Sequence, residues 1–288
     1  MNKITEVEKS KLQRLLFFMT KLNHPSIIKL IGFSPINFQK QLNPVIIEEM
    51  ASYGSLFDLL KNEKKNKNHN SNWNTTKKLT TIYGIASAMK YLHSQSILHR
   101  NLSPSNILLD SSFHPKLSNF EFFKETTEKE DFELFGEPQY VAPEVWMRKE
   151  YSQASDVYAF AFIVYQILTN EEIFKGQNVR KIMNEVVNKK NRPLFKSPIA
   201  SCYKSLIQSC WADDPSKRPS FAAIVDKMKT DSSFILDDAN KEEYFEYIKI
   251  VDNECYESQR NEGNKEKIIK ENKDEKIDSN NNKSSNDG

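Results

Sequence analysis

Apolar side chains recur at helical spacing near the start of the chain, separated by polar residues. The positions that follow this pattern are Leu12, Leu15, Leu16, Met19 and Leu22. Because they fall three or four residues apart, they predict an amphipathic helix over residues 5–22. Pro25 indicates where the helix ends, since the residue before a proline disfavours the helical conformation.

The rest of the chain predicts two strands followed mainly by helices. Runs rich in β-branched residues at 27–33 and 44–50 are typical of strands. Residues 55–60 predict a short helix, and the polar Lys/Asn run at 61–74 predicts a solvated loop. Further helices are expected at 75–95, 154–169, 178–189, 199–211, 219–229 and 242–251.

This order of elements is typical of an α+β protein. Hydrophobic residues make up 38% of the 288 positions, which is enough to bury a sizeable core. The longest apolar run, 157–168, is too short to span a bilayer and predicts a buried helix. Residues 261–288 hold seven Asn, six Lys and only three apolar side chains, so we expect that tail to be disordered.

The net charge limits the possible classes of partner, and the cysteine content limits the possible cellular compartment. A net charge of +2 creates no broad field for nucleic acid or acidic lipid, so neither nucleic acid nor membrane is expected as a partner. The N-terminus lacks the apolar core of a signal peptide. Cys202, Cys210 and Cys255 show no paired metal spacing and fit reduced thiols. We expect a cytoplasmic protein, with a nuclear location as the alternative.

Several short motifs lie in one order over about 120 residues. They are His99-Arg100-Asn101-Leu102 with Asn106, Asn119-Phe120-Glu121, Ala142-Pro143-Glu144, Asp156, Cys210-Trp211 and Arg218-Pro219-Ser220-Phe221. Together they resemble the motifs of a protein kinase domain of the tyrosine-kinase-like or serine/threonine type. The resemblance extends over roughly residues 5–230.

The resemblance implies a protein-kinase-like fold with a mainly helical large lobe. The small lobe is expected to be reduced to the αC-like helix and two strands. The implied segments are a small-lobe remnant at 1–50, the large lobe at 51–230, a helical extension at 231–260 and the tail at 261–288. A truncated gene model would explain a short small lobe, but not substitutions deep inside the chain.

Four positions of the implied active site carry neutral side chains, and at three of them a kinase has a charged residue. A kinase has a catalytic aspartate where this chain has Asn101 and a lysine where it has Ser103. Asn119 occupies the position of the magnesium-binding aspartate, and Asn106 matches the asparagine at the second metal position. Hard cations prefer carboxylates to amides, so both are interpreted as vestigial metal positions.

The implied nucleotide site is also vestigial. The resemblance places Met50 in the hinge between the lobes and assigns Leu108 to the same nucleotide site. No two glycines lie closer than Gly32 and Gly54, 22 residues apart, which excludes a glycine-rich phosphate loop in this sequence. Glu121 puts negative charge beside the implied phosphate site, where it would repel ATP. We therefore expect no cofactor; ATP and Mg²⁺ are expected only if the chain is an active kinase.

The side chains that support a kinase fold are present. The resemblance implies an interlobe stack, an ion pair between Glu144 and Arg218, and backbone N–H bonds to Asp156. The stack is expected to contain Met19, Leu30, His99 and Phe120. Leu15, at the approximate position of the αC glutamate, cannot pair with a lysine.

Three residues keep alternative interpretations. His99 is interpreted as a packed structural histidine, the alternative being a catalytic acid or metal ligand. Arg100 is expected to pair with a nearby acid such as Glu128 or Glu130, or else to receive a phosphate on Thr126 or Thr127. Glu48 either points to solvent or blocks the adenine site.

The Lys/Asn runs are interpreted as solvated segments, with binding of an acidic partner as the alternative.

A sequence that keeps the framework and loses the reacting groups indicates a pseudokinase. We expect a catalytically inactive kinase-like domain that binds protein partners in signalling. One alternative is a serine/threonine or tyrosine kinase that binds ATP and retains residual activity. The other is a non-functional kinase fragment.

Overall fold

The computed structural model describes residues 5–41, 43–65, 72–126, 134 and 136–253. Its helices and strands are α1 (Glu6–Lys21), β1 (Leu30–Ser34), β2 (Val45–Glu48), β3 (Gly54–Ser55), α2 (Leu56–Lys65), α3 (Thr75–Ser94), β4 (Ile97–Leu98), β5 (Ile107–Leu109), β6 (Pro115–Leu117), β7 (Lys124–Glu125), α4 (Pro143–Arg148), α5 (Gln153–Thr169), α6 (Val179–Met183), α7 (Ser201–Cys210), α8 (Phe221–Thr230) and α9 (241–253). This mixture agrees with the expected α+β class. The tail at 261–288, residue Cys255 and residues 66–71 of the Lys/Asn run lie outside the described residues.

The first predicted helix is confirmed as α1, and local hydrogen bonds fix its start. The Thr5 hydroxyl accepts from the Glu8 backbone N–H, and the Glu8 carboxylate accepts from the Thr5 N–H, which forms a capping box. The helix ends at Lys21, four residues before Pro25. Its inward face buries Phe18 and Met19 in the core.

The two predicted strands are confirmed, in shortened form, as the antiparallel pair β1 and β2. A second sheet has the order β3-β5-β6, and a third pairs β4 with β7. The expectation of a loop at 61–74 is wrong for residues 61–65, which continue α2. The helix extends because Leu59, Leu60 and Glu63 lie on its buried face, while Lys64 and Lys65 suit the negative end of its dipole.

The core is built around α3 and α5, which pack against each other. Helix α3 also packs against α8, and α5 also packs against α7. Helix α5 is buried on nearly every face, as expected for the apolar run at 157–168. The helix expected at 178–189 is divided: α6 continues as a π-helical turn over Asn184–Asn188. Among the described helices, none is long and apolar enough to cross a membrane.

Helix α9 docks on α3 at a glycine. Gly84 lies in the middle of α3, where the hydroxyl of Tyr247 reaches across to the Ser26 hydroxyl at 2.9 Å. A Cβ atom at position 84 would overlap the Tyr247 hydroxyl and would lie 2.5 Å from Pro115 Cγ. Glycine weakens a helix interior, so this position is explained by the close approach rather than by helix propensity.

We predict that Gly84→Ala destabilises the chain although alanine favours helices. Forcing a methyl group into this contact costs about 1–3 kcal/mol of unfolding free energy. Urea unfolding measures the loss, and Gly32→Ala is the matched control because its Cβ would meet nothing closer than 4.0 Å. Adding Tyr247→Phe should recover part of the loss. Equal stability of Gly84→Ala and wild type would contradict this packing.

Candidate active site

The loop that follows β4 is anchored by one carboxylate on α5. Asp156 Oδ1 accepts from the Arg100 backbone N–H, and Oδ2 accepts from the His99 N–H, both at 3.0 Å. His93 Nε2 lies 3.0 Å from the same Oδ2 atom. Arg100 has a positive φ of 63°, a strained conformation that these bonds hold in place. The backbone bonds expected for Asp156 are therefore present.

His99 is packed inside the core beside this anchor. Burial lowers the pKa of His99 to about 4, against the opposing effect of Asp156, so the ring is neutral near pH 7. Its Nδ1 atom accepts from the Asn101 N–H at 3.4 Å, and its Nε2 atom is buried without a partner. This environment favours the packed structural histidine over a catalytic acid.

The aromatic centre of the site is Phe123, which sequence reasoning missed. Its ring lies 4.7 Å from His99, 4.8 Å from Phe120 and 5.9 Å from Phe18. Arg14 of α1 donates to the Phe123 carbonyl through Nε and Nη2, at 3.1 and 2.9 Å. The only signal in the sequence was the cluster of phenylalanines in an otherwise acidic stretch.

The expected stack is only partly visible around this ring. Met19, His99 and Phe120 are buried, while Leu30 is half-buried against the core. Helix α1 packs directly on the turn that begins at Phe120. Leu15 also packs against the core, as an apolar side chain with no charge to offer.

Three asparagines of the candidate site form a hydrogen-bonded chain. Asn119 Nδ2 donates to Asn106 Oδ1 at 3.1 Å, and Asn106 Nδ2 donates to the Asn101 carbonyl at 2.7 Å. Asn119 itself is in the left-handed conformation, at φ 66°. Both ends of the Asn106 amide are thus used within the protein.

This donor set does not fit a magnesium ion. The two positions expected to hold metal offer neutral amide oxygens, and one of these oxygens already accepts a hydrogen bond. The described residues contain no group of three His, Cys, Asp or Glu side chains arranged to bind a metal.

The segment before α4 closes over the loop. A Cβ atom built on Gly136 would lie 3.4 Å from Asn101 Oδ1, and Gly136 has a φ of 95° that suits glycine. Asn101 Oδ1 is buried and has no hydrogen-bond partner. Next to it, the buried Ser103 hydroxyl donates to Glu137 Oε1 at 2.8 Å. The oxygen that would have to meet a substrate hydroxyl is therefore covered.

The expected nucleotide positions are exposed or half-buried. Met50 is 83% exposed, Leu108 is half-buried within β5, and Glu48 is exposed, which agrees with the solvent-facing alternative. Glu121 Oε1 lies 3.5 Å from Lys11 Nζ of α1, so its charge is partly compensated.

The contacts of Arg100 leave both interpretations of that residue open. Arg100 Nε donates to the Phe122 carbonyl at 2.6 Å, and its guanidinium lies over the Tyr151 ring. Of its proposed partners, Thr126 donates its backbone N–H to the Ser96 carbonyl at 2.8 Å, whereas Thr127, Glu128 and Glu130 lie outside the described residues.

An ion pair joins the start of α4 to the segment before α8. Arg218 Nη1 and Nη2 donate to the two oxygens of Glu144 at 2.7 and 2.8 Å, and both side chains are buried. Tyr158, unnoticed in the sequence, lies under this guanidinium and under that of Arg192, at 5.0 and 5.2 Å. The pair expected between Glu144 and Arg218 is present.

Comparison with known proteins decides the family. The family model described as protein tyrosine and serine/threonine kinase matches residues 1–228. The chain belongs to the protein kinase family. This kinase-family chain is 32% identical over 204 residues to a probable serine/threonine-protein kinase of Dictyostelium discoideum, covering 70% of the chain and 15% of the relative.

Two further relatives give the same result. The chain is 33% identical over 225 residues to serine/threonine-protein kinase 12 of Arabidopsis thaliana, covering 75% of the chain and 46% of the relative. It is 30% identical over 225 residues to a putative serine/threonine-protein kinase/receptor of Acanthamoeba polyphaga mimivirus, covering 77% of the chain and 13% of the relative. The matches thus span less than half of each relative's length.

We predict that Glu144→Ala strongly destabilises this kinase-family chain. Removing one partner of a buried ion pair costs about 3–5 kcal/mol, because the other charge stays buried and unpaired. Thermal and urea unfolding measure the loss. Glu172→Ala is the control, since its pair with Lys175 is exposed and should change stability by less than about 1 kcal/mol. Similar losses in both variants would refute the prediction.

We also predict that stability falls in mild acid because, like the buried His24 with its pKa of about 3, His99 has a lowered pKa. Its pKa is 6.5 without the protein environment and about 4 when folded, so between these values the unfolded chain binds the extra proton. Lowering the pH through this window therefore favours unfolding, by roughly 1.4 kcal/mol per pH unit. Urea midpoints at pH 7.5 and pH 5 should differ less in His99→Phe than in wild type. An unchanged difference would show that other groups control the acid response.

Proposed function

We propose that this kinase-family chain is a pseudokinase, a kinase-like domain that binds protein partners in signalling and transfers no phosphate. The observation that carries the proposal is the asparagine chain. Asn119 and Asn106 are hydrogen-bonded to each other, and Asn106 also to the Asn101 backbone. Uncharged groups occupy the positions at which a kinase needs a base and metal-binding charge.

The chemistry of these groups supports the inactive reading. Asn101 cannot take a proton from a substrate hydroxyl, and a general base typically contributes about 10²- to 10⁴-fold to a rate. Ser103 supplies no cation near a transferred phosphoryl group, and its hydroxyl is bonded to Glu137. Glu121, two residues after Asn119, supplies a negative charge that Lys11 compensates only in part. We therefore propose that ATP and Mg²⁺ are not cofactors.

The covering of the loop supports the same proposal in a different way. Gly136 lies against Asn101, so the buried Oδ1 atom of that side chain is covered on this side. Proximity and alignment of reacting groups can account for about 7–11 kcal/mol of a barrier. Where the chain itself covers the site, substrate cannot be aligned there, and this contribution of proximity is lost.

The lobe assignment belongs to the same proposal. Helix α1 would be the αC-like helix and β1 and β2 two strands of the small lobe, with the rest of the described chain forming the large lobe. The hydrogen bonds of Arg14 to the Phe123 carbonyl would then tie the αC-like helix to the segment after Phe120. We further propose a cytoplasmic location, with the nucleus as the alternative.

The direct test is incorporation of radiolabelled phosphate from ATP with Mg²⁺ into a generic protein substrate. We expect none above background from wild type. Robust incorporation that Asn106→Ala abolishes would establish the kinase alternative instead. A purified chain that melts cooperatively would exclude a fragment unable to fold, and a chain without a cooperative transition would support it.

We predict that Asn101→Asp with Asn119→Asp does not restore transfer, with or without Ser103→Lys. The new carboxylate at position 101 would take the place of a buried oxygen that has no donor. Burying an unpaired charge is unfavourable and raises the pKa of the carboxyl, so Asn101→Asp should be less stable at pH 8 than at pH 5 relative to Asn101→Ala. Activity in the double variant would show that the closed loop and Ser103 do not limit the chemistry.

A further inference from the structure

Helix α6 and the segment after it expose apolar side chains that the core does not use. Val179 and Met183 are one helical turn apart, so they share a face, and both are exposed beside the buried Ile182. A π-helical turn follows over Asn184–Asn188. Such turns are rare in helices and often occur at functional sites.

Leu194 is a third exposed apolar side chain, and contacts of its backbone and of the next residue fix its position. It is 76% exposed, yet its carbonyl accepts from the Tyr165 hydroxyl at 2.9 Å. The next ring, Phe195, lies between Tyr165 and Trp211, at 5.7 and 5.6 Å. Leu194 is therefore exposed on an ordered backbone rather than on a loose loop.

Arg192 connects this leucine to the helix. Its guanidinium donates to Asp213, Trp211 and Val186, at 2.6, 3.0 and 3.5 Å. The side chain of Asn191 donates to Glu185 Oε2 at 2.6 Å. These bonds fix the segment against the end of the π-helical turn. The segment that leads to Leu194 thus lies beside the turn that follows α6.

The charges on this part of the surface are mainly positive. Arg180 and Lys190 form no ion pair with any residue that the structure describes, and Lys181 lies near Glu185 without an ion pair. Glu185 is the only acid of the helical stretch 179–190, and Lys189 already pairs with it at 2.7 Å. The surface therefore lacks negative partners for its cations.

We refer to six residues together as the α6 surface: Val179, Arg180, Lys181, Met183, Lys190 and Leu194. We propose that the α6 surface docks an acidic amphipathic segment of a partner protein. Its apolar side chains would meet the apolar face of that segment, and its cations would meet the flanking carboxylates. This inference rests on the proposed role as a protein-binding module and names the chemistry of the partner.

The probe is a fluorescein-labelled synthetic peptide with leucines at helical spacing and glutamates between them. Its control replaces every glutamate with lysine. Fluorescence anisotropy should show the glutamate peptide binding at least about tenfold more tightly at low salt, and the preference should shrink in about 0.5 M salt as the charges are screened. Equal binding of the two peptides, or binding of neither, would overturn the proposal.

Single substitutions locate the site. Met183→Ser and Leu194→Ser should each weaken binding about tenfold, as expected for losing one well-buried apolar contact. Arg180→Glu should weaken it further at low salt. Ile31→Ser is the control, because Ile31 is also a well-exposed apolar side chain but belongs to β1. Unchanged melting temperatures would show that the exposed substitutions leave the fold intact.

Two other readouts separate this inference from the proposal before it. NMR amide shifts should move in residues 179–194 on titration of the glutamate peptide; shifts confined to β1 and β2, or self-association through Leu194, would overturn the docking surface. Phosphate incorporation, measured without any peptide, tests the pseudokinase proposal alone. Failure of peptide binding therefore leaves that proposal standing, and phosphate transfer leaves the α6 surface standing.

Discussion

The carboxylate of Asp156 accepts two backbone N–H bonds and lies beside His93 inside the core. Hydrogen bonds to an ionised acceptor are stronger than neutral ones, and a buried site strengthens them further. They hold Arg100 in a conformation that an unsupported loop would leave. The places of Asn101 and of the asparagines bonded around it follow from this backbone. The arrangement of the whole site therefore depends on a residue that never needs to touch a substrate.

The chain separates the supports of the fold from the groups that would do chemistry. A buried charge is retained where an opposite charge pairs with it, as Arg218 does with Glu144. At positions 101 and 119 amides stand where a kinase has carboxylates, and the Asn119 amide donates to Asn106, which in turn donates to the Asn101 backbone carbonyl. A carboxylate at such a place needs a cation to balance it, whereas an amide does not. The asparagines can thus stabilise the loop without metal or nucleotide.

Motif spacing predicted the positions of His99, Asp156, Glu144 and Arg218 because their contacts depend on short stretches of backbone. The same reasoning missed Phe123, since nothing in the sequence shows which of several phenylalanines points into the core. It also missed β4 and β7, whose two residues each are too few for a periodic pattern. The end of α2 was misjudged because burial of Leu60 and Glu63 outweighed the polar composition around them. The covering of Asn101 by Gly136 depends on tertiary packing alone.

The contact between Ser26 and Tyr247 has a consequence for the order of folding. The two residues are 221 positions apart, so the bond closes nearly the whole described chain into one loop. Distant contacts slow folding because loop closure must precede them. During synthesis at about 5–20 residues per second, the segment at Ser26 waits roughly 10–45 s for its partner to be made. Until Tyr247 is made, the side of Gly84 that its hydroxyl covers stays open in α3.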